Sequence, residues 1–122
     1  MERDTRQRRA IRDVLLAAGR PLSPHEVLAA ARRQVRGLGI ATVYRTLKGL
    51  VEQGSLAAVE LPGEPPRYEL SGKGHHHHFH CRGCGRVFEL EGCPEGLKRL
   101  TPRGFALEAH EVVLYGRCAG CA

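Results

Sequence analysis

Apolar residues recur at helical spacing through the first third of the chain, with charged and polar residues between them. The first stripe consists of Ile11, Val14, Leu15 and Ala18, and Gly19 follows it as a stop signal. This spacing predicts a first helix that ends before residue 19.

A second helix start is encoded in the stretch Ser23-Pro24-His25-Glu26. Ser23 can cap the helix, Pro24 suits its first position, and Glu26 completes a capping box. The apolar stripe of this helix and the glycines that end it are Val27, Leu28, Ala31, Val35, Gly37 and Gly39.

Residues 40–54, "IATVYRTLKGLVEQG", predict a third helix that ends at Gly54. Its apolar face is formed by Ile40, Val43, Leu47, Leu50 and Val51. Two short strands, "SLAAVEL" and "RYEL", follow around the turn "PGEPP" at residues 62–66. Three helices and a hairpin are the outline of a winged helix-turn-helix, whose helix from about residue 40 would read the major groove. The alternative is a small helical domain with an added hairpin.

The pattern changes after "SGKG" at residues 71–74. "GRVFELE" predicts a strand, "CPEGLKRL" a short helix with Pro94 in its first turn, and "FALEAHEVVLYGRC" a long strand. A unit this short buries little core and needs a metal, a partner subunit or both. The predicted fold class is therefore α+β: a winged helix-turn-helix domain at residues 1–71, a hinge at 72–74, and a small α/β domain at 75–122.

Composition places this 122-residue chain among globular proteins, since 42% of its residues are hydrophobic and 26% are charged. No apolar run approaches the roughly 18 residues of a membrane helix, so we expect no membrane partner. The N-terminal residues Met1 to Arg6 are charged and lack the apolar core of a secretion signal. The expected location is the cytoplasm.

Positive charge is concentrated in the first half. Residues 1–50 hold eleven Lys and Arg against four Asp and Glu, a net charge of +7, whereas residues 51–122 hold eight against nine, a net charge of −1. A basic half favours a polyanionic partner such as nucleic acid, although a solvated arginine-rich surface is the alternative. The few aromatic residues, 5% of the chain, argue against a stacking platform for single-stranded nucleic acid.

Four of the five cysteines form two Cys-x-x-Cys pairs, Cys81 with Cys84 and Cys118 with Cys121, separated by 33 residues. Two such pairs supply the four thiolates of a tetrahedral structural zinc site, which would also stabilise the small second half. Thioredoxin-like redox chemistry at one pair is the alternative. Cys93 has no partner at this spacing and is interpreted as a bystander, or else as a redox residue.

Five histidines crowd into "HHHHFH" at residues 75–80. Because alternate residues of a strand share a face, His76 and His78 would point one way and His75 and His77 the other. His80 continues the first face but lies beside the zinc knuckle. Glu69 precedes the run, Glu89 and His110 follow it on predicted strands, and mixed imidazole and carboxylate sites suit first-row divalent metals. A solvated polar loop or an expression tag is the alternative.

These residues resemble the ferric uptake regulator family of metal-responsive, dimeric, winged-helix repressors. The resemblance rests on "IATVYRTLKGL", "HHHHFHCRGCGRVFEL" and "HEVVLYGRCAGC", and it covers nearly the whole chain in collinear order. It implies binding to a double-stranded DNA operator as a homodimer. It also implies that the second half mediates dimerisation and is stabilised by a structural zinc ion.

The resemblance also implies three metal sites. The family's structural zinc ligands match Cys81, Cys84, Cys118 and Cys121. Its regulatory ligands match His25, Glu69, His76, His78 and Glu89, with Fe2+, Mn2+ or Zn2+ as the ion. A third site matches His75, His77, Glu95 and His110, where many members carry Asp at the position of His77.

For DNA contact, the resemblance points to Tyr44 and Arg45 on the reading helix, with Thr42 and Thr46 as their neighbours. Arginines of the first helix would hold phosphates, and these are Arg6, Arg8, Arg9 and Arg12. Glutamate at both position 69 and position 89 favours an iron-responsive member over a peroxide-responsive one, and the absence of cysteine at 69 disfavours a zinc-uptake member. Manganese remains an alternative.

Two functions of other classes remain as alternatives. A zinc hydrolase would need an open coordination position and a general base such as Glu69 or Glu89, but the chain has no HExxH motif. A metal-storage or chaperone module would not bind DNA, which the basic first half makes the less favoured interpretation.

Overall fold

A computed structural model describes residues 2–122, with side chains described from residue 6 onward. The charged N-terminal stretch at residues 1–5 therefore lies outside the described side chains. The chain divides into two compact units, Met1–Lys73 and Gly74–Ala122, and the boundary falls within the predicted hinge. Among the described residues, no helix has the length and apolarity to span a membrane.

The first unit has three helices followed by an antiparallel hairpin, the order of a winged helix-turn-helix. Its elements are α1 (Glu2–Ala18), α2 (Pro24–Ala31), α3 (Ile40–Glu52), β1 (Leu56–Val59) and β2 (Arg67–Leu70). The predicted capping box forms, because the amide of Glu26 donates to the Ser23 hydroxyl and the Glu26 carboxylate accepts from the Ser23 amide. These contacts hold α2 at the start that the sequence predicts.

The core of the first unit gathers the apolar stripes of the three helices. Val27, Val43 and Leu47 are fully buried, as is Ile11 from the first helix. An isolated antiparallel bridge joins Leu22 to Tyr68 and so places the start of α2 beside the second strand of the wing. The helices and the hairpin therefore form one packed body around this core.

The second unit is a three-stranded sheet with strand order β4-β3-β5. Its elements are β3 (His77–Cys81), β4 (Val87–Leu90), α4 (Leu97–Leu100) and β5 (Val113–Gly116). β4 runs antiparallel to β3, and β5 runs parallel to it. Within the described part of this unit, the buried hydrophobic residues are Cys81 and Val87, so the apolar core is very small.

Two predictions about the second unit were wrong. Pro94 lies outside the short helix, because Gly96 takes a left-handed conformation (φ 86°) and the helix begins at Leu97. The long strand predicted over residues 105–118 shortens to Val113–Gly116, paired with residues 78–81 of β3. A strand needs a partner for its backbone hydrogen bonds, and β3 is only five residues long.

Candidate metal centres and nucleic-acid interface

The two cysteine pairs meet at one edge of the small sheet. Cys81 is the last residue of β3, and the parallel register pairs it with Gly116 at the end of β5. Since parallel strands end at the same edge, the turns that follow β3 and β5 lie side by side. The Sγ atoms of Cys84 and Cys118 are 3.8 Å apart, and all four thiols lie within 4.8 Å of one another.

This spacing fits a tetrahedral zinc ion. With zinc–sulfur bonds of about 2.3 Å, two ligands at the tetrahedral angle are separated by about 3.8 Å. The backbone amides of Cys84 and Cys118 donate to the Cys81 sulfur, at 3.4 and 3.2 Å. Cys81, Cys84, Cys118 and Cys121 are hereafter the cysteine cluster.

Hydrogen bonding divides the cysteine cluster into unlike thiols. The amides of Cys84 and Cys118 stabilise the Cys81 thiolate and lower its pKa to about 5. Hydrogen bonds to the thiols of Cys118 and Cys81 raise the pKa of Cys121 to about 12. These hydrogen bonds therefore favour the thiolate at Cys81 and the thiol at Cys121, and a bound dication would favour the thiolate at Cys121 as well.

Close backbone approach makes glycine necessary in the first knuckle. A Cβ atom on Gly83 would lie 2.9 Å from both Cβ and Sγ of Cys121. Gly85 has φ of 77°, and its amide donates to the Cys81 carbonyl at 2.9 Å. The two glycines let the turn close tightly around the sulfur atoms.

The histidine run divides between the two faces of its strand, as the alternation predicts. The rings of His76 and His78 are 4.8 Å apart on one side, and the rings of His75 and His77 are 4.5 Å apart on the other. Glu89 lies directly opposite His78 in the register of β3 and β4. The second unit thus brings three of the predicted regulatory ligands to neighbouring positions.

His76 is oriented for ligation by its own backbone neighbourhood. Its Nδ1 lies 2.7 Å from the carbonyl oxygen of Gly74, so Nδ1 donates the hydrogen bond. In the neutral ring, this tautomer leaves the lone pair on Nε2. Metal-binding histidines commonly hold their second nitrogen in this way.

The opposite face of the strand carries a separate set of donors. His75, His77 and His110 come together there with Cys93, their donor atoms all within 4.8 Å of one another. Burial and the neighbouring imidazoles lower the pKa of His77, because both disfavour its cation. Glu95, predicted for this set, is not among the donors that the described residues bring together, and Cys93 takes that place.

Cys93 is the potential ligand of this set that the sequence interpretation did not include. Its lack of a partner at knuckle spacing predicts a bystander or a redox residue. Gly92, directly before it, has φ of 85° and turns the chain after β4. A lone cysteine after a glycine, downstream of a histidine run, was the available signal, but the sequence alone does not show which way the loop turns.

The remaining predicted regulatory residues belong to the first unit. Glu69 lies on β2 and is 4% exposed. His25 is exposed in the first turn of α2. The bridge between Leu22 and Tyr68 brings the chain segments that carry these two residues together.

The predicted DNA-reading residues lie on the outer face of α3. Val43, Leu47 and Leu50 of this helix are buried, whereas Tyr44 and Arg45 are exposed. The guanidinium of Arg45 donates to the Thr42 hydroxyl at 3.2 Å. The apolar stripe of α3 therefore faces the core, and its polar residues face outward, as the sequence predicts.

Arginines of α1 border the same surface. A cleft of about 150 Å³ is lined by Gln7, Arg8, Thr42, Arg45 and Thr46. A larger one, of about 560 Å³, includes Arg8, Arg9 and Arg12 in its lining, and Arg6 is exposed on the same helix. The guanidinium of Arg8 donates to Gln53 at 3.4 Å, so α1 is tied to the end of α3. The result is an exposed, cationic surface that includes the predicted reading helix.

Residues 2–115 match the model of the ferric uptake regulator family. The chain belongs to that family. The ferric uptake regulation protein of Bordetella parapertussis is 37% identical over 106 residues, which cover 84% of this chain and 76% of that protein. The zinc uptake regulation protein of Mycobacterium tuberculosis is 31% identical over 122 residues, covering 98% and 94%.

Solved structures of the ferric uptake regulator family share the fold. The Helicobacter pylori ferric uptake regulator, described as having three functional metal-binding sites, has a TM-score of 0.73 at 29% identity, over 94% of this chain and 79% of that one. A zinc-bound manganese uptake regulator has a TM-score of 0.78 at 28% identity, over 92% and 87%. Relatives named for iron, zinc and manganese therefore all resemble this chain, which places it among metal-responsive regulators without choosing the metal.

Proposed function

We propose that this protein is a cytoplasmic, homodimeric repressor that binds operator DNA when a divalent metal is abundant, with Fe2+ as the preferred ion. The observation that carries the proposal is that the predicted DNA-contacting residues and most of the potential metal ligands lie in different units. The first unit presents a cationic surface around an exposed helix. The second gathers two groups of four metal-ligand side chains and places His78 and Glu89 opposite each other on β3 and β4, with His76 just before β3.

Three of the regulatory ligands, His76, His78 and Glu89, belong to the second unit. The family resemblance adds Glu69 and His25 from the first unit. Shared coordination by both units would restrain their relative pose, which is how ion binding would be coupled to DNA affinity. A bound ion would supply positive charge and a geometric constraint, and residues of the first unit would contact the DNA.

The cysteine cluster would hold a structural zinc ion. The 3.8 Å sulfur separation supports this role, as does the shortage of buried apolar residues in the second unit. Because that unit has so small a core, zinc binding would contribute much of its folding free energy.

Dimerisation is supported by apolar residues that the second unit leaves exposed. Phe105 is 70% exposed and Leu114 is 48% exposed, and Leu100, Leu107 and Tyr115 are exposed as well. Exposed apolar side chains favour protein contact where they form a patch. A two-fold dimer would present two reading helices to half-sites about one helical turn, or roughly 34 Å, apart.

The choice of iron depends on the regulatory ligands. Glu69 and Glu89 contribute oxygen, and His76 and His78 contribute nitrogen, a mixture that suits several first-row ions. The family resemblance favours iron for glutamate at both positions. Manganese, zinc and peroxide responses are the alternatives.

Anaerobic selection from genomic DNA fragments, with zinc-loaded protein and separate additions of Fe2+, Mn2+, Zn2+ or chelator, would identify the operator and the metal together. Affinity for that operator should then rise by roughly 5–150-fold with the activating ion. His78→Ala should abolish this rise and retain structural zinc. His80→Ala is the matched control, because His80 packs near Tyr115, with ring centroids 5.8 Å apart.

Equal DNA affinity of the unaltered protein with and without every ion would contradict metal gating. Failure to bind DNA at any salt concentration would favour a metal-storage or chaperone module. A salt-dependent affinity argues against that alternative, because phosphate contacts release counterions.

A further inference from the structure

Four potential ligands converge from three separate segments beside the small sheet. His77 is the first residue of β3 and His75 lies two residues before it, Cys93 comes from the loop after β4, and His110 from the segment before β5. The Nε2 atoms of His75 and His110 are 3.0 Å apart, and the Cys93 sulfur is 3.4 Å from Nε2 of His77. These four residues are hereafter the thiol–imidazole cluster.

The spacing of the thiol–imidazole cluster fits a single four-coordinate ion. With bonds of about 2.05 Å to nitrogen and 2.3 Å to sulfur, tetrahedral ligands lie about 3.3 Å apart for two nitrogens and about 3.6 Å apart for nitrogen and sulfur. The observed distances of 3.0 and 3.4 Å are slightly shorter than these. An expansion of a few tenths of an ångström would admit the ion.

The backbone explains why Cys93 and not Glu95 joins the histidines. Gly92 and Gly96 have φ of 85° and 86°, so the chain turns sharply on both sides of this short segment. The first turn brings Cys93 to His77. Glu95 lies just before the second turn and is exposed.

We propose that the thiolate of Cys93, with the imidazoles of His75, His77 and His110, forms a second sulfur-containing metal site that prefers Zn2+. Thiolate and imidazole favour zinc, whereas the carboxylate-containing regulatory set also accepts harder ions. On coordination, the Cys93 thiol loses its proton to solvent as the sulfur–metal bond forms. This inference rests on the metal-binding part of the proposed function but not on DNA binding.

Ion binding at this cluster has a consequence for Val112. The amide of Val112 donates to Nδ1 of His77 at 3.1 Å, so the neutral ring carries its proton on Nε2, towards Cys93. Ligation through Nε2 moves that proton to Nδ1, and the hydrogen bond from Val112 is then lost. Val112 directly precedes β5, and its carbonyl accepts from the amide of His78 at 3.3 Å. Binding of the ion would therefore change the hydrogen bonding of Val112, where β3 meets β5.

Cobalt absorption tests this site directly. The full-length protein is first loaded with one zinc per chain in the cysteine cluster and then titrated with Co2+ without DNA. We expect a thiolate-to-cobalt charge-transfer band in the near ultraviolet, which the sulfur-free regulatory set cannot produce. Zinc content measured after the titration shows whether cobalt has displaced zinc from the cysteine cluster.

Cys93→Ala should lose the charge-transfer band and weaken cobalt binding at this site. Changes in residues that only support a ligand cost 10–100-fold in affinity, so loss of the ligand should cost at least roughly tenfold. Glu95→Gln is the matched control and should keep the band. Loss of the Val112 hydrogen bond should appear as a cobalt- or zinc-dependent change in that amide's hydrogen exchange.

Absence of the band in the unaltered protein, or its persistence in Cys93→Ala with zinc content unchanged, would overturn the proposal. So would weaker cobalt binding in Glu95→Gln but not in Cys93→Ala. A second measurement avoids dependence on folding of the alanine variant: added Zn2+ should slow iodoacetamide labelling of Cys93, and His110→Ala should remove this protection. Neither test involves DNA, so a negative result leaves the proposed repressor intact, and failure of metal-gated DNA binding leaves this site intact.

Discussion

The sulfur atoms of Cys84 and Cys118 lie 3.8 Å apart although 34 positions separate them in the chain. The parallel pairing of β3 with β5 creates this proximity, since it brings both knuckles to one edge of the sheet. The cluster therefore depends on the sheet, and the sheet in turn lacks the apolar core that would hold it together without a cross-link.

Cys118→Ser should release structural zinc and unfold the second unit. Zinc-finger peptides gain roughly 10–16 kcal/mol of apparent binding free energy from structural zinc, more than the stability of a typical domain. Zinc content by elemental analysis and circular dichroism would measure the loss. With both proteins loaded with one zinc per chain, so that only the cysteine cluster is filled, Cys93→Ser is the matched control and should retain this zinc. Equal zinc loss in both variants would contradict the assignment of Cys118.

Gly83→Ala should speed the transfer of structural zinc to a chelator. The new methyl group would lie 2.9 Å from Cβ and Sγ of Cys121, so the knuckle must open. Gly120→Ala lies in the other knuckle, where the added carbon would be 3.9 Å from the Cys118 sulfur, an ordinary contact. Identical transfer rates in the two variants would show that the close approach has no effect on zinc retention.

Arg45→Ala and Arg8→Ala should weaken DNA binding in different ways. A base contact by Arg45 predicts a loss of about 1–3 kcal/mol and relaxed sequence preference. A phosphate contact by Arg8 predicts a similar loss on all sequences and a salt slope that falls by about one. Operator titrations at several salt concentrations would measure both effects.

Arg103→Ala, exposed in the second unit, is the control for these two variants. An unchanged salt slope in Arg8→Ala would exclude a phosphate contact by that side chain. Unchanged affinity in Arg45→Ala would remove the reading helix from the proposed interface.

Glu26→Gln should destabilise α2 at neutral pH but not in acid. Burial raises the pKa of Glu26, but the Ser23 amide and Arg20 outweigh it, so the net pKa lies below 4.5. The folded state therefore gains stability above the unfolded pKa and loses it as pH falls through the lowered folded pKa. Because Arg20 is partly solvent-screened, the gain should stay below about 1 kcal/mol.

Hydrogen exchange of the α2 amides in the two proteins would measure this difference. We expect faster exchange in Glu26→Gln near pH 7, with the two proteins converging well below pH 4.5. Zinc release in acid affects both proteins alike, so it does not enter the comparison. A difference independent of pH would mean that Glu26 acts only through its shape.

Local signals predicted the parts of the fold that depend on neighbouring residues. The capping box of Ser23 and Glu26 needs only a four-residue stretch, and it forms as predicted. The period of a strand likewise separates His75 and His77 from His76 and His78. In both cases the determining geometry lies within the segment itself.

Features set by distant partners escaped the sequence analysis. The alternating residues before Val113 resemble a strand, but β3 offers no further backbone for them to pair with. Cys93 reaches His77 because the chain turns at Gly92, and the direction of such a turn depends on tertiary packing. The family resemblance selected Glu95 by sequence position, and sequence position does not show which side chain this turn brings to the histidines.

The histidine run has a further consequence because its members are chemically identical. A slip of β3 by one residue would exchange its two faces, yet each face would again present imidazoles. The repeated residue therefore cannot specify its own alignment. Two other residues of β3 distinguish the alignments. The ring of Phe79 lies so close to Gly116 that a Cβ there would be 3.1 Å from it, and Cys81 belongs to the cysteine cluster. By holding Cys81 in place, structural zinc would fix the register of β3 and thereby determine which metal site each histidine faces.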